Sequence, residues 1–148
     1  MVFDTNVLVY SVHEQSEFYQ PCFRRLQEAR TGRTPAFLTW NICYEFLRVT
    51  THPQVLPNHW SIAEGRNFIA GLLESPGFDL LLPTPNHLSE LYRVTTELPD
   101  IRGNRIHDMH TAVLMREHGI SQICTLDSDF RRFPFVEIID PLQYTEPE

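Results

Sequence analysis

At 148 residues, with 42% hydrophobic and 11% aromatic side chains and a formal charge of −7, the chain is expected to fold as one soluble domain that buries roughly two-thirds of its unfolded surface. With no run of 18 apolar residues and no basic leader before the first apolar stretch, neither a membrane span nor a secretory signal is expected, which makes the cytoplasm the default address. All twelve basic residues are arginine, which excludes P-loop and Schiff-base chemistry, and the acidic balance requires any nucleic-acid binding to be local or cation-assisted.

In chain order, Met1-Val2-Phe3 is a short apolar strand that ends in Asp4, and the spacing from Thr5 to about Val12 predicts a short helix. A second helix is predicted from Ser16 to about Ala29, with Phe23 and Leu26 on one face, ended by Thr31-Gly32-Arg33. Pro35 to Leu38 reads as a buried strand, and Thr39 as the cap of a helix that runs to about Thr51 and stops at His52-Pro53. Another helix runs from Ser61 to about Glu74, followed by a third strand from Phe78 to Leu82. Thr84-Pro85 has the form of a helix start, and that helix reaches Leu98. Asn104 opens the clearest helix, which Gly119 ends, before strands at Ile120 to Thr125 and Val136 to Ile139. The polar tail, 140–148, is expected to fray. Strands of four to six apolar residues alternating with helices predict an α/β fold of three layers, a central parallel sheet of about five strands with helices on both faces.

Cys22, Cys43 and Cys124 lack C-x-x-C spacing and lie in apolar segments, so they are expected as buried thiols rather than disulfides or zinc ligands. The acids are more informative. Asp4 stands at the carboxyl end of the first strand, where it can cap the next helix or face a ligand crevice. Asn41, Glu45 and Arg48 form one polar strip on an otherwise apolar helix, consistent with a surface ion pair or with one wall of a site. Asp108 lies in a first helical turn beside small Ala112, with Ile106, Met109 and Val113 as the expected core stripe. His107 and His110 look like metal ligands, yet Asp108 and His110 stand about 200° apart around the helix and cannot share an ion. Asp127 and Asp129 follow the fourth strand, where an Asx-turn also accounts for them. If the first and fourth strands are neighbours, Asp4 and Asp127 come within reach of one cation.

Taken together, Asp4-Thr5-Asn6, the Glu45-Phe46-Leu47-Arg48-Val49 helix, Asp108 with Ala112, and Thr125-x-Asp127-x-Asp129-Phe130 resemble the PIN-domain ribonucleases. Arg48-Val49-Thr50-Thr51-His52-Pro53, Gly103-Asn104, Arg116-Glu117-His118-Gly119 and Asp140-Pro141-Leu142 extend the likeness to the VapC toxins of bacterial toxin–antitoxin pairs. The resemblance implies a sheet order of 3-2-1-4-5 and an acidic pocket of Asp4, Glu45, Asp108 and Asp127, with Asp129 as a fifth candidate. It also implies cleavage of RNA to a 3′-hydroxyl and a 5′-phosphate, a homodimer, and a VapB-like antitoxin that inserts a segment into the pocket.

Crowded carboxylates resist ionisation unless a cation joins them, and ligands that are all oxygen select Mg²⁺ or Mn²⁺. Asp4 and Asp108 are the expected direct ligands, Asp127 completes the shell, and Glu45 orients or deprotonates the attacking water. Arg102, Arg105, Arg131, Arg132, Arg24 and Arg25 are the candidate phosphate grips. Two alternatives stand beside the nuclease. One is a catalytically silent PIN-like module acting through its antitoxin. The other is an Asp-dependent phosphatase, disfavoured by Asn at position 6 and by the lack of lysine.

Overall fold

In the computed structural model, which describes residues 1–143, five short apolar strands pair side by side and all parallel: β1 (Val2–Phe3), β2 (Ala36–Leu38), β3 (Phe78–Leu80), β4 (Gln122–Cys124) and β5 (Glu137–Ile139). Their order is β3-β2-β1-β4-β5, as expected. Val2, Phe3, Leu38, Ile123 and Cys124 are wholly buried, which is why these strands read as continuous apolar runs: a parallel sheet covered on both faces has no solvent side to mark with polar residues. Strand order reverses between β1 and β4, where Phe3 pairs with Cys124 and the Asp4 amide donates to the Cys124 carbonyl at 3.0 Å. The carboxyl ends of these two strands therefore open the crevice of the sheet.

Among the described residues six α-helices flank the sheet: α1 (Thr5–Tyr10), α2 (Tyr19–Arg30), α3 (Trp40–Thr50), α4 (Ile62–Glu74), α5 (His87–Glu97) and α6 (Arg105–Glu117). Thr39 and Ser61 cap α3 and α4 by accepting from the Ile42 and Glu64 amides, each at 3.1 Å. The inner half of α6, Met109 and Thr111 to Met115, is buried, and Gly119 ends that helix at φ +67.

Several expectations are corrected. α2 starts at Tyr19 because the Ser16 hydroxyl accepts the Phe18 amide in a tight turn; its inner face is Cys22 and Leu26, while Phe23 is 37% exposed and pairs with Tyr19. α5 starts at His87, after a turn in which the Thr84 hydroxyl accepts the Asn86 amide at 3.1 Å and donates to Glu117 Oε1 at 2.8 Å. Ile106 is exposed, one turn too early on α6 to reach the core. Strands β3 and β4 are shorter than their apolar runs. The tail does not fray at 140: Asp140 accepts the Leu142 amide at 2.9 Å, and Pro141–Gln143 form a 3-10 turn that buries Pro141 against α2. The remaining tail positions, 144–148, lie outside the described residues. The three cysteines are buried free thiols, with burial pushing Cys22 and Cys124 to about 12 and Cys43 to about 11.

Candidate active site

Asp4 leaves β1 with extended backbone and caps α1, so capping and pocket-lining are both true of it. Its Oδ1 accepts the Thr5 amide at 2.7 Å; its Oδ2 accepts the Thr125 hydroxyl at 2.7 Å and the Asn6 amide at 3.2 Å. Thr125 is buried and its oxygen also accepts from Asn6 Nδ2 at 3.2 Å and from the Asp127 amide at 3.0 Å. Asn6 Oδ1 in turn accepts the Leu126 amide at 3.2 Å. Asn6 and Thr125 thus tie the loop after β1 to the loop after β4 and hold Asp4 between them. Both residues belong to the motifs at the two junctions, but spacing alone assigns neither a role. The available signal was symmetry, a small polar side chain two residues from an aspartate at each junction.

Burial raises the pKa of Asp4, the Thr125, Thr5 and Asn6 hydrogen bonds oppose it, and the charge of Asp127 adds to it. Asp108, half-buried in the first turn of α6, is pushed up to about 6, first by burial and then by Asp4, Asp127 and Asp129, with Arg132 opposing. Asp4, Asp127 and Asp129 therefore all lie within electrostatic reach of Asp108, which their separation in sequence left open. Asp4, Glu45 and Asp108 line a pocket of about 760 Å³ that also takes in Asn6, Arg48 and His107.

Glu45 differs from the aspartates. Both its oxygens are taken by Arg48, Oε2 by Nε at 3.0 Å and Oε1 by Nη2 at 2.6 Å, and this pairing holds its pKa below the usual carboxylate range. The polar strip on α3 is thus a surface ion pair and a pocket wall at once. Asp127 Oδ1 accepts the Asp129 amide at 2.8 Å, the turn that its spacing suggested. His110 turns away from the pocket to the His87 ring, 5.9 Å between centroids, so it does not join Asp108. Among the described residues, no three His, Cys, Asp or Glu side chains converge closely enough to enclose a metal ion.

Of the candidate phosphate grips, Arg24, Arg102, Arg105 and Arg131 are exposed. Arg132 folds back, its Nε donating to the Asp129 carbonyl at 2.9 Å. Arg25 is corrected: its side chain is only 19% exposed, pairs with Glu28 at 3.6 Å and lies against Cys124, so it serves the interior.

The chain with this crevice at the β1/β4 switch point has relatives among known proteins. The chain belongs to the PIN-domain family, whose sequence profile matches residues 1–136. Within that family it falls with the VapC proteins. It is 31% identical over 139 residues to Ribonuclease VapC48 of Mycobacterium tuberculosis, covering 94% of this chain and 95% of that protein. It is 29% identical over 143 residues to Ribonuclease VapC33 of the same organism, covering 95% and 96%. The fold is shared with a chain from the crystal structure of VapBC2 from Rickettsia felis bound to a DNA fragment from their promoter, at TM-score 0.65 and 14% identity, covering 94% of this chain and 98% of that one.

Proposed function

We propose that this protein is a metal-dependent endoribonuclease, the toxin of a VapBC-type pair, which acts on RNA in the cytoplasm as a homodimer and is restrained by a VapB-like antitoxin. The observation that carries this reading is the mutual electrostatic pressure on Asp108, a carboxyl held near 6 by burial and three other aspartates, in a chain similar along its length to ribonucleases. Clustered carboxylates of this kind are stabilised by a cation. The donors are all oxygen, which fits Mg²⁺ or Mn²⁺ and not a thiolate-seeking ion. Because no three acids converge, the set fits a hydrated ion held by one or two carboxylates and its own waters, the usual habit of Mg²⁺.

Asp4 and Asp108 would hold the ion, with Asp127 reaching it through water. When bound, the ion supplies positive charge for the scissile phosphate and acidifies a water for in-line attack. Thr125 and Asn6 aim Asp4 by donating to Oδ2 and oppose the burial that favours its neutral form, an opposition the cation would complete. Glu45, once released from Arg48, orients the attacking water, and the freed Arg48 guanidinium offers two parallel donors to a phosphate. Exposed Arg24, Arg102, Arg105 and Arg131 grip the backbone on either side.

The deciding experiment incubates purified protein and single-stranded RNA with Mg²⁺, Mn²⁺ or EDTA, wild type beside Asp108→Ala. Cleavage with either metal and none in EDTA or in the variant is expected. Equal cleavage in every tube would mean a contaminant and remove the assignment.

A further inference from the structure

Only part of the pocket is acidic. About 9 Å along α1 from Asp4, Tyr10 lines the same pocket, followed by His13. Their rings are nearly parallel, at 11° and 6.5 Å between centroids, and Tyr10 is held from behind by the edge of Phe18 at 5.0 Å and 75°. Two amide side chains, Asn41 and Asn104, line the same pocket, each one helical turn ahead of a carboxylate, Glu45 on α3 and Asp108 on α6. Neither amide is hydrogen-bonded among the described residues, and Asn104 opens α6 without capping it. Buried Leu56 adds an apolar surface.

A pair of near-parallel aromatic rings, one of them packed by Phe18, in one pocket with uncommitted amides and the proposed phosphate-handling acids matches one kind of ligand. Unpaired bases of RNA are recognised by stacking on aromatic rings and by hydrogen bonds to their edges, and an amide can pair with a base edge in bidentate fashion. An aliphatic peptide side chain seated here would desolvate both amides without giving them partners, an unfavourable exchange. Resting on the nuclease reading above, we infer that this end of the pocket is a nucleobase subsite: Tyr10 and His13 stack one base, Asn41 and Asn104 read its edge, and the nucleotide beside the scissile phosphate is thereby selected.

The test uses an oligoribonucleotide carrying a cut site mapped with the wild-type protein, and a series in which each nucleotide flanking the cut is replaced in turn by an abasic residue. One abasic position is expected to raise KM about tenfold, on the order of one lost base–aromatic stack. Tyr10→Leu is expected to raise KM by about the same factor on the intact oligonucleotide and to add almost nothing on that abasic one, while Tyr10→Phe, which keeps the ring, behaves as wild type. If Tyr10→Leu does not fold, Asn41→Ala on the partly exposed side of α3 serves, with cleavage rates for the four bases at that position expected to converge. Wild-type cleavage that is indifferent to every abasic replacement, or a Tyr10→Leu penalty of equal size on both oligonucleotides, overturns the subsite and leaves this wall to a peptide. Wild-type protein that neither cuts nor binds RNA overturns the nuclease reading itself.

Discussion

Asp108 shows how a single carboxyl records its neighbours. Its pKa of about 6 lies above the ordinary 3.8, so between these values the folded protein keeps a proton that the unfolded chain has released. Stability contributed by that proton is present at low pH and is lost as pH rises through about 6. Asp108→Asn is therefore expected to melt at a higher temperature than wild type above pH 7 without metal, and the difference should vanish near pH 4. A tenfold change in proton affinity is worth about 1.4 kcal/mol. Solvent weakens the effect at a half-exposed group, so about 1 kcal/mol is expected. Millimolar Mg²⁺ should raise the melting temperature of wild type and leave the variant unmoved. Thr125 is the second informative residue, because its hydroxyl opposes the burial that drives Asp4 towards its neutral form. Thr125→Val keeps the shape and removes the donor. The acid limb of the pH–rate profile should move to higher pH, with cleavage at neutral pH falling by about tenfold, as expected for a hydrogen bond to a charged group. An unchanged profile would mean that Asp4 is positioned by the Thr5 amide and Asn6 alone.

The helices place these residues by contacts remote from the acids. α2 must end close beneath the entry to β3, and a Cβ at position 77 would sit 1.8 Å from the Ala29 carbonyl oxygen. Gly77 also accepts the Ala36 amide at 2.8 Å, which sets where β2 starts beside β3. Gly77→Ala must push α2 away or displace β2, at a cost of about 3 kcal/mol, seen as a fall of about 10 °C in a thermal melt. α5 and α6 are joined by Glu117, whose side chain is fully buried: Oε1 accepts the Thr84 amide and hydroxyl, and Oε2 faces His87 Nδ1 at 2.5 Å. Because α6 also carries Asp108, this contact at its far end orients the helix that brings the acid to the crevice.

For the molecule as a whole, a charge of −7 opposes RNA at long range, so affinity must come from a few local contacts. Binding to single-stranded RNA is expected to weaken with salt along a shallow slope, each phosphate contact adding about 0.7 to it. Replacing Arg102 and Arg105 together by alanine should flatten the slope by about 1.4, measured by fluorescence anisotropy with the uncleaving Asp108→Asn protein. Arg25→Ala should leave the slope alone and lower stability instead, because its guanidinium is directed to Glu28 and the interior.

The architecture was legible in the chain because a parallel sheet announces itself through short apolar runs spaced by amphipathic helices, and Thr39, Ser61 and Gly119 mark boundaries by local hydrogen bonding and backbone preference. Motif order likewise singled out Asp4, Glu45, Asp108 and Asp127. Sequence spacing did not say which of two adjoining helical stripes faces inward, and so Ile106 shares the expected core stripe of α6 without reaching the core. It offered the Glu45–Arg48 pair as one reading of the α3 strip, which the structure bears out, but it could not say that Arg25 would turn inward or that Asn6 and Thr125 would clasp Asp4. Both depend on segments far apart in the chain, Arg25 lying against Cys124 and Thr125 bonding Asp4 from the other end, whose separation is set only when β1 lies down beside β4. Local chemistry is written along the polypeptide, whereas desolvation and charge–charge pressure arise from distances through space.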